Sequence, residues 1–133
     1  EAPIAFIEKR RTGREDNPEA LTLIVDVKGR DVIIVDDEVD TGGSIYSAAE
    51  LALNSGARNM YLVFVHPILT AGAAEKLAQL PFREIITTDS VPISEEKAAF
   101  FGDRLKIISV APLLGEVILR AHEGRSVGEM FDE

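Results

Sequence analysis

One stretch of this sequence gathers the side chains best able to do chemistry: Asp36-Asp37-Glu38-Val39-Asp40-Thr41-Gly42-Gly43-Ser44. Gly42 and Gly43 let the backbone turn sharply and come close to a ligand. Thr41 and Ser44 supply hydroxyl donors. A helix is expected to begin near Ser44, and the first turn of a helix presents unpaired N–H groups and a partial positive charge. Together these make an anion site, best suited to a phosphate monoester. The carboxylates of Asp36, Asp37 and Asp40 would repel a bare phosphate, so they make sense if they hold another part of the same ligand. Vicinal sugar hydroxyls or a magnesium ion are the natural choices, since both want carboxylate oxygens. A blander origin also exists: Thr-Gly-Gly turns before helices are common, and acids near a helix N-terminus are favoured by the dipole alone. The stretch is not a Walker loop, because no Gly-Lys-Ser/Thr follows. Nor does it have the glycine spacing of a dinucleotide fingerprint.

Positive charge gathers in one place, Lys9-Arg10-Arg11 followed by Arg14, within a chain of formal net charge −9. That balance argues against a nucleic-acid-binding domain, which would usually show a basic face. It also means that an anion would be held by local N–H groups and a few placed cations, not by the overall field. His66 is read as structural. His122, near the end of an expected helix, is read as facing the helix dipole or solvent. Glu38 and Val39 are read as spacers between the acids.

The elements that must position these residues alternate between strand and helix. Pro3–Glu8 and Leu21–Val27 read as strands on either side of a polar loop, Arg11–Glu19. Lys28-Gly29-Arg30-Asp31 is a turn. Val32–Val35 is a continuous apolar run, expected to be a central strand buried on both faces. Ile45, Ala48, Ala49 and Ala52 have helical spacing, with Gly56 as the stop. A strand over Met60–Val65, a helix over Thr70–Leu80 before Pro81, and strands over Glu84–Thr88 and Lys106–Val110 follow. Pro112 opens a further helix with Leu113, Leu114, Val117, Ile118 and Ala121 on its apolar stripe, ended by Gly124. The helix faces rich in Ala, Leu and Val are read as core. Ser126 and Glu129 have the spacing of a capping box for a short last helix. This alternation predicts an α/β domain with a mainly parallel sheet flanked by helices. Its ligand would lie at the carboxyl ends of the strands.

The 133 residues fit one domain with one core. Hydrophobic residues make up 46% and charged residues 28%, and the chain has no cysteine. Disulfides and thiolate metal sites are therefore excluded, in keeping with a cytoplasmic protein. No apolar run is long enough to span a membrane. The chain begins with Glu1, so the natural start is expected to lie upstream.

An apolar strand, then Asp36-Asp37, two residues, and Asp40-Thr41-Gly42-Gly43-Ser44 resembles the phosphoribosyl pyrophosphate motif of type I phosphoribosyltransferase folds. Three further stretches resemble one family with this fold, ribose-phosphate pyrophosphokinase (phosphoribosyl pyrophosphate synthetase). Ile7-Glu8-Lys9-Arg10-Arg11 looks like the start of its catalytic loop. Val65-His66-Pro67-Ile68-Leu69-Thr70 looks like its next strand–helix junction. Ile108–Glu116 together with His122–Val127 looks like its C-terminal end. The resemblance runs in order through essentially all 133 residues.

It implies a Rossmann-like, phosphoribosyltransferase-type domain spanning residues 1–133, incomplete at its N-terminus and lacking the family's N-terminal half. The implied reaction is magnesium-dependent transfer of the pyrophosphoryl group of ATP to ribose 5-phosphate. By resemblance Lys9 and Arg11 are catalytic. Asp36 and Asp37 hold the ribose hydroxyls or Mg2+, and Asp40, Thr41, Gly42, Gly43 and Ser44 cradle the 5-phosphate. A homo-oligomer, hexameric by resemblance, with phosphate and nucleotide effectors is implied as well. A domain without the family's preceding segments is expected to expose apolar edges. Two alternatives stand beside this reading. One is a non-catalytic, ribose-phosphate-binding regulatory subunit. The other is a base phosphoribosyltransferase, for which no base-recognition segment is found.

Overall fold

The computed structural model describes residues 3–4, 7–10, 20–23 and 26–131. Among these residues two sheets are formed. β1 (Ile7–Arg10) and β2 (Ala20–Leu23) make an antiparallel pair, with Lys9 opposite Leu21. β3 (Asp31–Glu38), β4 (Asn59–His66), β5 (Phe82–Thr88) and β6 (Leu105–Ile108) make a parallel sheet in the order β3-β4-β5-β6. The expected first strand is thus displaced along the chain: Pro3 and Ile4 lie outside it and Lys9 and Arg10 lie inside it. Asp26 and Val27 lie outside β2. The expected loop over Arg11–Glu19 falls outside the described residues.

Helix α1 (Gly43–Asn54) connects β3 to β4, α2 (Ala73–Ala78) connects β4 to β5, and α3 (Glu95–Phe101) connects β5 to β6. The strands are added one after another in a single direction. Right-handed crossovers then place every connecting helix on the same face of the sheet. The core is accordingly one-sided: Ile45, Ala49, Met60, Leu62, Phe64, Leu77, Ile85 and Phe101 belong to one buried cluster, with Val32 and Ile34 packed against it. A fully buried side chain of this size contributes about 1.5–3 kcal/mol.

The opposite face is open among the described residues. Side chains alternate along a strand, so Ile33 and Val35 point away from the helices and are 62% and 72% exposed. Val65 and Ile108 are exposed too. The expectation that Val32–Val35 forms a central strand buried on both faces is therefore corrected. Among the described residues β3 is an edge strand covered on one face, because nothing in this winding reverses direction to bring a helix to the other. The apolar exposure is on a sheet face more than along an edge.

α4 (Ala111–Glu123) has the expected bounds, with Pro112 in its first turn and Gly124 as a left-handed C-cap at φ 69°. Its stripe is not core, however: Leu113, Leu114 and Ile118 are exposed, and no residue of α4 is buried. The short final helix is a single 3-10 turn, Gly128–Met130, with no side-chain cap. Glu129 serves instead as a partner of Arg120 at 3.4 Å, while the Ser126 carbonyl accepts from the same guanidinium at 2.9 Å. Among the described residues no helix is long and apolar enough to cross a membrane.

Candidate functional site

β3 carries the candidate loop to the carboxyl edge of the parallel sheet, as the sequence predicts. Residues 36–45 line a concavity of ≈260 Å³ there. It holds Asp36, Asp37, Asp40, Thr41, Gly42, Gly43 and Ser44 together. Of the two expected catalytic residues, Lys9 lies on β1, in a strand and not in a loop. Arg11 falls outside the described residues.

Strand alternation separates the two leading acids. Asp36 continues the row of Val32 and Ile34 on the helix-covered side and stands level with Phe64 of β4, which is buried. Asp37 continues the exposed row of Ile33 and Val35. Burial is the main cause that holds the Asp36 carboxyl above the usual carboxylate range, helped by the neighbouring charges of Asp37 and Glu38. The Asp37 N–H, which donates to Asp36 Oδ1 at 3.0 Å, works the other way. The Glu38 N–H donates to Asp37 Oδ1 in the same manner at 2.9 Å. No group of three or more potential ligands that could hold a metal occurs among the described residues. With Asp36 and Asp37 on opposite faces, a divalent cation held here would take a carboxylate from one or the other. That donor set suits Mg2+ when substrate phosphates and water complete the shell.

The N-terminus of α1 is left open by the protein itself. Its N-cap is Gly42 in the left-handed region at φ 70°, no side chain caps it, and no acid occupies its first turn. The first intrahelical bond runs from the Tyr46 N–H to the Gly42 carbonyl at 2.9 Å. α3 shows the ordinary alternative: Ser94 caps it by accepting from the Lys97 N–H at 3.3 Å, and Glu95 and Glu96 sit in its first turn. α1 thus leaves its dipole and first-turn N–H groups uncompensated by a cap or an acid, an arrangement that would suit an anion, beside the exposed hydroxyl residues Thr41 and Ser44. Gly42 is needed twice over, for its positive φ and because a Cβ there would lie 3.3 Å from Cγ of buried Leu77.

The loop is held in shape by the segment after β4. Val39 N–H donates to the His66 carbonyl at 3.0 Å, Leu69 N–H to the Val39 carbonyl at 2.9 Å, and Thr70 N–H to the Asp40 carbonyl at 3.0 Å. The Thr70 hydroxyl donates to the Asp40 carboxylate. Val39 is 2% exposed and Leu69 is 1% exposed. Val39 is therefore an apolar anchor for the loop and not a spacer. Leu69 and Ala71 both adopt positive φ, 51° and 48°, with Gly72 following at 76°. Left-handed backbone at residues other than glycine costs on the order of 1–3 kcal/mol each and persists where surrounding contacts impose it. This also explains why α2 begins at Ala73 and not at Thr70, as helical spacing had indicated. His66 fits a structural role: its carbonyl takes the Val39 N–H, and its Nδ1 lies 2.9 Å from Ser90 Oγ. His122 lies in the last turn of α4, as expected.

Sequence reasoning missed Thr70, Leu69 and Ala71 as supports of the site. Apolar periodicity reads Thr70 as part of a helix, and positive φ at Leu or Ala has no compositional signal. It also missed α3, whose signal was present in Ser94-Glu95-Glu96, a cap followed by two acids.

Comparison with known proteins extends these observations. The family model described as phosphoribosyl synthetase-associated domain matches residues 9–132. The chain is 44% identical over 130 residues to a protein named ribose-phosphate pyrophosphokinase from Caldanaerobacter subterraneus subsp. tengcongensis, covering 98% of this chain and 40% of that protein. It is 38% identical to the protein of the same name from Bacillus subtilis, with the same two coverages of 98% and 40%. The crystal structure of phosphoribosylpyrophosphate synthetase from Mycobacterium smegmatis superposes with a TM-score of 0.80 at 35% identity, covering 92% of this chain and 37% of that one. The chain thus spans about 40% of the length of these curated relatives.

Proposed function

This chain belongs to the phosphoribosyl synthetase-associated domain family, and on that premise we propose that it supplies the ribose-5-phosphate site and part of the transfer machinery of a ribose-phosphate diphosphokinase. The observation that carries the reading is the uncapped N-terminus of α1, with no acid in its first turn, lining one concavity with Asp36. One ligand satisfies both features: a sugar whose hydroxyls reach a carboxylate while its phosphate meets helix N–H groups.

In this reading Thr41, Gly42, Gly43 and Ser44 hold the 5-phosphate through backbone N–H groups and two hydroxyls, with Asp40 alongside them. Asp36 accepts from the ribose hydroxyls, and Asp37 on the other face is free for hydroxyls or metal. The ribose O1 hydroxyl attacks the β-phosphorus of ATP and gives up its proton to solvent, a new P–O bond forms, and the bond from that phosphorus to the oxygen bridging the α-phosphate breaks, releasing AMP. Lys9 and Arg11 neutralise charge on the transferring phosphates, the main contribution a protein makes to such chemistry. A magnesium ion bound to the nucleotide phosphates and to Asp36 or Asp37 would supply further charge neutralisation. ATP as donor, homo-oligomeric assembly, phosphate and nucleotide effectors and a cytoplasmic location belong to the same proposal, on the support of the relatives' names and the resemblance.

The test is formation of AMP from ATP that depends on ribose 5-phosphate, measured for this chain mixed with the N-terminal portion of one of the pyrophosphokinases it resembles. Ribose-5-phosphate-dependent AMP, strongly reduced by Lys9→Ala, is the expected result. A folded mixture that binds ribose 5-phosphate and ATP without forming AMP would reject the catalytic part of the reading.

A further inference from the structure

An acid inside a phosphate-binding loop poses an electrostatic problem. Asp40 directly precedes Thr41 and the α1 N-terminus, and a mobile carboxylate there would compete with the incoming phosphate for the same N–H groups. The structure answers this from a distant part of the chain. The Thr70 hydroxyl donates to Asp40 Oδ1, and the Thr70 N–H donates to the Asp40 carbonyl at 3.0 Å. Thr70 thus grips Asp40 by side chain and backbone at once. Its neighbours repeat the pattern one step back, where the Leu69 N–H holds the Val39 carbonyl at 2.9 Å.

The backbone around Thr70 is shaped to make this grip possible. Leu69 and Ala71, on either side of it, are both left-handed, and Leu69 is anchored in the core. From the other side, Lys97 Nζ of α3 donates to the Ile68 carbonyl at 3.4 Å. Two residues that disfavour positive φ therefore flank Thr70, whose hydroxyl reaches the loop. Strain of this kind marks a place where position matters more than local comfort.

We propose that Thr70 is a positioning residue for the sugar-phosphate site: it clamps Asp40 so that the carboxylate is turned to the 66–72 segment and the N–H groups of Thr41–Ser44 are left for the phosphate. This rests on the reading of the loop as a ribose-5-phosphate site and adds a residue from another element to it.

The experiment compares the full chain with Thr70→Val and Thr70→Ser by backbone amide NMR, with and without ribose 5-phosphate. Valine keeps the shape and removes the hydroxyl; serine keeps the hydroxyl. The loss of a hydrogen bond to a charged group predicts that Thr70→Val weakens ribose 5-phosphate by about tenfold or more. It also predicts shifted amides of Val39–Ser44 in the unliganded protein. Thr70→Ser is expected to restore both, which a packing role for the methyl group would not do. Unmoved loop amides and unchanged affinity in Thr70→Val overturn the proposal, as does a serine variant as weak as the valine one. If the unaltered chain does not bind ribose 5-phosphate, the sugar-phosphate reading fails. The clamp is then decided by the unliganded amides alone: displaced by valine and restored by serine in its favour, indifferent to both against it.

Discussion

Gly42 and Leu77 lie so close that a Cβ on the glycine would meet Cγ of Leu77 at 3.3 Å, with Cδ1 and Cδ2 close behind. Leu77 is fully buried in α2, so it has little room to give. Gly29 offers the contrast, since it has the same φ of 70° with nothing within 4 Å of an added Cβ. Gly29→Ala therefore reports the cost of the left-handed backbone alone, about 1–2 kcal/mol. Gly42→Ala adds crowding against the core and should cost more, about 2–4 kcal/mol in all. Urea unfolding of the two variants checks this, and equal costs would mean that Leu77 yields freely.

Asp36 combines a place in the candidate site with a disfavoured charge. Its folded carboxyl titrates above the ordinary value, burial beside Phe64 being the main cause. The folded protein then binds a proton more tightly than the unfolded chain. Stability falls as pH rises from the unfolded value, about 3.9, to the raised folded value, and the penalty stays constant above that. Asp36→Asn keeps an oxygen for the Asp37 N–H and removes the charge. It should raise stability at neutral pH and lose that advantage as pH falls through the window. The same variant should weaken ribose 5-phosphate, a trade of stability for function seen at many sites. Denaturant midpoints at several pH values, set beside the affinity at neutral pH, check both halves.

Asp31 behaves in the opposite sense at the other end of β3. It accepts from Arg58 at 2.9 and 2.8 Å and from Asn59 at 2.7 Å, and these bonds lower its pKa to about 2. A depressed carboxylate contributes stability above the unfolded value that is lost as pH falls through the folded one. Asp31→Asn should therefore lower stability modestly at neutral pH, flatten the acid limb of the stability curve between about pH 4 and pH 2, and cost nothing more below that window. An acid limb of unchanged slope would show that this exposed pair is not coupled to folding.

The two faces of the sheet predict different costs for neighbouring changes. Val35 is 72% exposed and Leu62 is fully buried against the helices. Val35→Thr should alter stability by less than about 0.5 kcal/mol. Leu62→Ala should cost about 2–5 kcal/mol. Unfolding midpoints for the pair would show whether the core is one-sided in solution.

Much of this arrangement was legible in the residues themselves. Period and punctuation located β3 to β6, α1 and α4, because glycine, proline and apolar spacing act over a few residues. That Asp36 and the Thr41–Ser44 turn would meet in one concavity was legible because an apolar strand, two glycines and a helix start fix the path of the chain between them. Burial was less so. Whether Val35 or Leu114 is covered depends on which way the sheet is wound and on what packs against α4, and neither property is local. Thr70 was illegible for a similar reason: its value lies in reaching Asp40 across 30 positions, through backbone conformations that Leu69 and Ala71 do not advertise. The Ser126–Glu129 spacing failed because Arg120 draws the Glu129 carboxylate to itself, while its hold on Ser126 is through the backbone carbonyl and not the capping hydroxyl.

The central claim is that the loop from Asp36 to Ser44 recognises a pentose and a phosphate on one ligand. Titration calorimetry of the chain with ribose 5-phosphate, with and without magnesium, tests it most directly, with glucose 6-phosphate as the control that shares the phosphate and changes the sugar. Saturable binding of ribose 5-phosphate is expected, weakened by Asp36→Ala and much weaker for glucose 6-phosphate. Equal affinity for the two sugars, or none for either in a chain shown by its amide spectrum to be folded, would contradict it.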